Sequence, residues 1–399
     1  MRIRAKEPQS RRAFASNQSS ERRGGEIWRP VAFCDLEYRP GAIYMAALES
    51  LLESHPNCPL CGGSSRAIAG YEVRSPGYYV EILISQFGLD RMAFDRALNL
   101  FRCAGCGTLW YDPWLTPRVS SSLYGYLCGR HKFGWASLRA WLVGLERPYF
   151  RARPELWGIL GALVPNMTDY GEVNCPYGGL FFHLFDAMAG DVNREALARK
   201  IPLLSQMYAG EKLVGQYGEA GAFSGLIDDM RAVRENATAP RTFLVREFSD
   251  MCWGHSCIFN GNHCLAFAQD VLVDEVVDFD TLRATGQRLG ALGLFNVWDH
   301  FRDPMRVLSK ATDVADLVVI DLHHYGWTDA QHFFNVGDRV IEFLHDRGFN
   351  AVDLTPHIKS VVGEDDDRRY LLVSKVLELG MALEETGLAI ESPDPTAYV

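Results

Sequence analysis

The chain has 399 residues, 48% of them hydrophobic and 23% charged, a composition that belongs to a globular protein long enough for two domains. A net charge of -10 and a pI near 5.6 exclude a surface that is basic overall, as phosphate binding demands. With no run of about 18 apolar residues to cross a bilayer, the expected partner is a small molecule or a protein, with no nucleic acid and no membrane; the oligomeric state is not legible.

Residues 1–23 carry Arg2, Arg4, Lys6, Arg11, Arg12, Arg22 and Arg23 against only Glu7 and Glu21, with Ser and Gln between them. No apolar core follows as a secretory signal would need, so residues 1–45 are expected to be a solvated, disordered tail, a mitochondrial-type leader being the alternative. Without an export signal the ten cysteines are expected as thiols or metal ligands, and the expected compartment is the cytoplasm.

Residues 46–130 are expected to form a zinc-binding module. Cys58-Pro-Leu-Cys61-Gly62-Gly63 and Cys103-Ala-Gly-Cys106-Gly107 repeat one short loop. Two thiolates three positions apart on a tight turn can face one ion, and glycine after the second cysteine permits the backbone that turns amides toward the sulfurs. The spacing therefore predicts one tetrahedral zinc site of Cys58, Cys61, Cys103 and Cys106. With four thiolates there is no position left for water, so the zinc is expected to be structural. The 41 residues between Cys61 and Cys103 must fold as an insertion that returns the second loop to the first.

Residues 131–160 read as a helical linker, with Trp135 and Trp141 after His131 expected to pack between the zinc module and an α/β domain. That α/β domain is read over residues 161–390, and 391–399 as a tail. Cys252, His255, Cys257, His263 and Cys264 lie close together, but at spacings that match no metal loop. They are expected as core thiols and histidines, a second metal being the alternative.

From about residue 285, apolar runs of strand length alternate with amphipathic helices, the pattern of a mainly parallel sheet covered on both faces. Leu289 to Val297 is a strand that leads into Trp298-Asp299-His300, and Asp303-Pro304 starts a helix bearing Met305, Leu308 and Ala311 on one face. Asp316 to Asp321 is a buried parallel strand opening into His323-His324-Tyr325. Val336, Val340 and Leu344 mark a helix stopped by Arg347-Gly348; Phe349 to Leu354 is the next strand. Arg368 to Lys375 is the last, close enough in sequence to its predecessor to be antiparallel.

Three stretches then show a family likeness. Phe101-Arg-Cys103-Ala-Gly-Cys106-Gly-Thr-Leu-Trp-Tyr-Asp-Pro113, Leu294-Phe-Asn-Val-Trp-Asp-His300-Phe-Arg-Asp-Pro304, and Gln331-His332-Phe-Phe with Arg347-Gly348-Phe349 resemble, in order, the motifs of the zinc-ribbon-bearing class I S-adenosylmethionine (SAM) dependent methyltransferases, the group that includes the sugar C-methyltransferases. The resemblance covers about residues 55–376. It implies a Rossmann-like, mostly parallel sheet whose last strand is antiparallel, SAM as cofactor beside the structural zinc, and a small polar acceptor such as a nucleotide-linked sugar.

In such a fold the cofactor lies against a Gly-rich turn after the first strand. Thr168 to Gly179 occupies that place, with Asp169, Gly171, Gly178 and Gly179 as the turn residues; the second glycine comes late, and Pro176 intervenes. Thr242 to Glu247 is the expected second strand, with Glu247 to hold the ribose hydroxyls and Asp250 as runner-up. Asp278 or Asp280 would meet the adenine, and Asn296 would meet the cofactor at its strand end. His332 is the first choice and His300 the second for the base that takes the acceptor's proton. The irregular turn equally suits the alternative, a non-catalytic binding or scaffold protein that keeps the fold and the zinc module.

Overall fold

The computed structural model describes residues 51–68, 99–117, 119–120, 151–175, 178–184, 232, 239–249, 251, 272–322, 332–363 and 368–388. The expected tails, His131, Trp135, Trp141, Pro176, Tyr177, Asp250, the Cys252 to Cys264 cluster, His323, His324 and Gln331 lie outside them. All the described residues fall in one compact unit.

Two small sheets surround the cysteine loops. β1 (Leu52–Glu53) pairs antiparallel with β5 (Trp114–Leu115), and β2 (Ser65–Ala67), β3 (Asn99–Cys103) and β4 (Leu109–Asp112) form an antiparallel meander. A helix then leads into the α/β part. In α1 (Arg153–Leu163) Pro154 and Glu155 occupy the first turn, where a missing N–H and a negative charge are both tolerated. Leu156, Ile159, Leu160 and Leu163 recur at helical spacing, and all four are buried.

The remaining elements are β6 (Asp169–Val173), β7 (Arg241–Arg246), β8 (Glu275–Asp278), α2 (Phe279–Thr285), β9 (Leu289–Phe295), a 3-10 turn at Trp298–His300, α3 (Pro304–Val314), β10 (Ala315–Leu322), β11 (Phe334–Asn335), α4 (Val340–Asp346), β12 (Asn350–Asp353), α5 (Thr355–Val362), β13 (Arg369–Ser374) and α6 (Leu379–Glu385). Seven strands form one sheet in the order β12-β13-β10-β9-β6-β7-β8. All neighbours are parallel except β13, which runs against both β10 and β12. β9 and β10 are almost wholly buried along their length, as continuous apolar strands covered on both faces must be.

Local chemistry sets the element ends. β9 stops at Phe295, two residues before the sequence suggests, because Asn296 turns left-handed at φ 54°. Asp303 caps α3 by accepting from the Arg306 N–H at 3.0 Å, as expected of an Asp-Pro start. Gly348, left-handed at φ 80°, ends α4 with its N–H on the His345 carbonyl.

The chain winds outward from β6 through β7 to β8, then crosses back to β9 on the other side of β6. This reversal opens a crevice at the carboxyl ends of β6 and β9, where open α/β sheets take their ligands. Farther along the sheet, Arg369 on β13 is buried and ion-paired to Asp353 at 2.8 Å, with its Nη1 donating to the Gly337 carbonyl at 2.7 Å.

Removing one partner of such a pair strands a buried charge. Asp353→Ala is expected to cost about 3 to 5 kcal/mol, whereas Arg241→Ala, which breaks the exposed pair with Glu275, should cost under about 1 kcal/mol. Urea unfolding of both variants checks this, and equal midpoints would refute it.

Candidate functional site

The second cysteine loop is the hairpin turn between β3 and β4, so the fold of the small sheet and the position of Cys103 and Cys106 are one matter. Each loop closes by an N–H to carbonyl bond from its left-handed glycine, Gly62 to Cys58 at 2.8 Å and Gly107 to Cys103 at 3.2 Å. Amides also point at sulfur: Gly63 N–H to Cys61 Sγ and Gly105 N–H to Cys103 Sγ, both at 3.3 Å. The sulfurs of Cys58 and Cys106 stand 3.6 Å apart, those of Cys61 and Cys103 3.3 Å, and all four lie within 4.8 Å of one another. Thiolates about 2.3 Å from one ion in a tetrahedron would be about 3.8 Å apart. The donor set therefore fits one zinc.

Without the ion the protons distribute unevenly. Hydrogen bonding to Cys106 and then burial raise Cys58, and burial pushes Cys61 up to about 11. The bond from Cys58, with help from Thr108, holds Cys106 down at about 5. Metal uptake must displace the retained protons and so strengthens as pH rises.

At the crevice the turn after β6 is left-handed at Asn174, Cys175, Gly178 and Gly179, with φ of 55°, 36°, 83° and 41°. This corrects two expectations. Asp169 begins β6 at the far end of the strand, beside Arg241 and Gln287, and Gly171 sits mid-strand with Leu289 and Leu292 closed over it. Neither belongs to the turn.

The acid of this turn is Glu172, which sequence reasoning passed over. Its buried carboxylate accepts from Leu180 N–H at 2.6 Å, Phe181 N–H at 3.2 Å and Tyr170 Oη at 2.8 Å. A β-carbon on Gly179 would fall inside that carboxylate, and one on Gly178 would fall in the Phe182 ring. Both glycines are thus needed for the protein's own packing. The available signal was its place two residues before the irregular run Asn174-Cys175-Pro176.

Asn174 then ties the turn to the end of β7. Its side chain donates to the Glu247 carbonyl at 2.5 Å and accepts from the Glu247 N–H at 3.0 Å, and it also reaches the Met251 sulfur. Met251 in turn forms a backbone bridge with Phe301 from the segment after β9. In this conformation the protein's own residues span the carboxyl end of β6.

Glu247 stands at the end of β7, as expected of the acid on the second strand. Burial opposes its ionisation, but Lys310 at 2.6 Å and Ser249 outweigh burial and lower its pKa. Asp278 is at the end of β8, where its carboxylate caps α2 by accepting from Thr281 N–H at 2.7 Å; it serves the helix, and Asp280 pairs with Arg283. Asn296 is buried and lines a small cleft with Gly179, Arg153, Phe295, Asp321 and Tyr370.

The two expected bases come together. His300 closes the 3-10 turn after β9, and His332 arrives just before β11; their ring centroids are 4.3 Å apart and tilted by 52°. Asp299 faces both, one oxygen 4.0 Å from His300 Nε2 and the other 3.8 Å from His332 Nε2. All three are buried. Asp299 was visible in the sequence only as the neighbour of His300.

No family model and no curated protein matches the sequence. Solved structures do. The N-terminal domain of EvdMO1, crystallised in the presence of SAH and D-fucose, is 12% identical, with 57% of this chain and 82% of that one covered at a TM-score of 0.28. The plantazolicin methyltransferase BpumL in complex with SAH is 8% identical, covering 63% and 99% at 0.29. WbdD is 15% identical, covering 58% of this chain and 41% of its own at 0.28. At such TM-scores the likenesses carry no argument, and the fold stands on its own strand order.

Burial raises Glu172 from 4.5 to about 7. Its proton is therefore held more tightly in the folded chain than in the unfolded one. The stability it contributes is full below about pH 4.5 and declines as pH rises through about 7. Glu172→Gln should remove that slope, worth about 3 kcal/mol between the two limits. Urea midpoints at pH 5 and pH 8 decide it; parallel slopes in wild type and variant would refute the assignment.

Proposed function

We propose that the chain is a class I SAM-dependent methyltransferase acting on a small polar acceptor, with a structural zinc in its four-cysteine module. The observation that carries this reading is the strand order. Counted along the chain within the large sheet, the strands lie in the order 3-2-1-4-5-7-6 with the seventh reversed, which matches the sheet that the sequence resemblance implies. The acid Glu247 closes the second strand, and a left-handed turn follows the first. By the same resemblance the acceptor is a nucleotide-linked sugar.

SAM would supply an electrophilic methyl group, so the protein's task is to orient the acceptor and take its proton. The turn from Asn174 to Gly179, Glu247 and Asn296 would hold the cofactor. His332 accepts the proton, Asp299 stabilises the resulting imidazolium, and His300 packs against the same carboxylate. Arg153 in the cleft beside Asn296 supplies positive charge for an anionic group.

One observation favours the second reading, a non-catalytic scaffold: Asn174, Met251 and Phe301 span the end of β6. Calorimetry with SAM and S-adenosylhomocysteine separates the two, because absence of heat at high protein concentration removes the enzyme. If closure merely competes with binding, Asn174→Gly, which releases the Glu247 backbone and suits a left-handed residue, should tighten SAM affinity, roughly tenfold if the open form is a minor population. Given binding, His332→Asn should lower turnover by roughly 100-fold to 10,000-fold with SAM affinity unchanged, and a variant of full activity would dismiss His332 as the base.

A further inference from the structure

We propose that the four-cysteine module is the positioning element for His332, so that loading the thiolate site and ordering this imidazole are one event. The inference draws on the methyltransferase reading only where it speaks of turnover.

β11 has two residues, Phe334 and Asn335, and a strand of that length has no stability of its own. It is absent from the seven-stranded sheet. Its partner is β4, with Phe334 opposite Trp110 and Asn335 opposite Leu109, so it forms the edge of the sheet β11-β4-β3-β2. The turn between β3 and β4 is the loop that bears Cys103 and Cys106. His332 therefore precedes a strand held by the hairpin whose turn carries two of the zinc ligands.

Contacts on either side of β11 repeat the link. Gly107, in the cysteine loop, lies against Gly337: a β-carbon on Gly337 would fall 2.6 Å from Gly107 Cα and closer still to its carbonyl. Arg102 on β3 pairs with Asp338 at 3.4 Å. On the near side the Phe333 ring stacks on Trp114 at 4.3 Å, Trp114 stacks on His55 at 3.9 Å, and the Arg302 guanidinium lies 4.8 Å over Phe333. Arg302 is itself held by Glu53 and by the Leu115 carbonyl, both in the module. The α/β domain contributes contacts of its own: the Asp299 carbonyl accepts from Phe333 N–H at 2.8 Å, Arg369 holds the Gly337 carbonyl at 2.7 Å, and the Trp298 ring meets Phe334 edge-on at 5.6 Å.

A module of this kind takes much of its folding energy from its ion. When the thiolates lose the ion, the hairpin loosens and β11 loses its partner, while the seven-stranded core keeps its own packing. The consequence is a protein that still binds cofactor and has a displaced base.

The test uses the full chain with labelled histidines, the His332 ring signal being assigned by its loss in His332→Gln. Chelation of the zinc should shift or broaden that signal while core methyl signals stay in place, and added zinc should restore it. Gly337→Ala should displace the same signal with one equivalent of zinc still bound by elemental analysis. Should Gly337→Ala not fold, Asp338→Ala, which removes the exposed pair with Arg102 and the bond from Arg339 N–H, should give a smaller shift in the same direction. For turnover, a base displaced by about 1 Å corresponds to a loss in kcat of roughly 100-fold, with KM for SAM changed less than about twofold. A His332 signal indifferent to chelation overturns the proposal, as does its loss only together with the core signals. If wild type binds no SAM, the methyltransferase reading falls, but the resonance experiment still decides this one.

Discussion

A two-residue strand takes its position from whatever it pairs with, and the histidine rim depends on the partner that β11 finds. Phe334 and Asn335 add to the edge of the cysteine-bearing sheet, although the chain on both sides of them belongs to the α/β domain. Main-chain pairing of this sort is insensitive to side-chain identity, so specificity comes from the flanks. There Phe333 enters the Trp114 stack, and Gly337 permits contact with Gly107 that any β-carbon would prevent. Two histidines 32 positions apart in the sequence meet around Asp299 because these contacts bring the second to the first.

The crevice beside that rim is governed by a different constraint, the use of the backbone amides of Leu180 and Phe181 after the turn that follows β6. Such amides attract negative charge, whether from a ligand or from the protein. Here Glu172 takes the amides of Leu180 and Phe181, and Gly178 and Gly179 are glycines because Phe182 and Glu172 occupy the space a β-carbon would need. The turn is thus shaped from within. A cofactor entering this crevice would meet the outer face of the turn, where Asn174 now bonds to Glu247 and Met251.

Much of this was legible in the sequence where chemistry is local. Paired Cys-x2-Cys loops followed by glycine specify their own geometry, and the four sulfurs converge as that spacing requires. β9, β10, β12 and β13 were legible because unbroken apolar runs of strand length bounded by Asp-Pro or Arg-Gly admit few other readings. The turn after β6 lies several residues from where Asp169 and Gly171 would put it, because Asn174 and Cys175 adopt the left-handed backbone that glycine usually supplies. Asn does so at modest cost; Cys is uncommon there. β11 was illegible for another reason. Val336 continues the spacing of Val340 and Leu344, so a helical pattern hid a strand whose partner lies over 200 residues earlier.

Arg369 connects the large sheet to the cysteine module. It lies in β13, the reversed strand of the sheet, and its buried charge is balanced by Asp353 on the neighbouring β12. The same guanidinium donates to the carbonyl of Gly337, the residue that Gly107 also contacts. Gly337 is thereby held by both the large sheet and the cysteine loop. One contact alone would leave the segment free to pivot about it. With both present, the distance between the thiolate site and the sheet is transmitted to the residues leading back to His332, and the module is part of the site's geometry as well as its support.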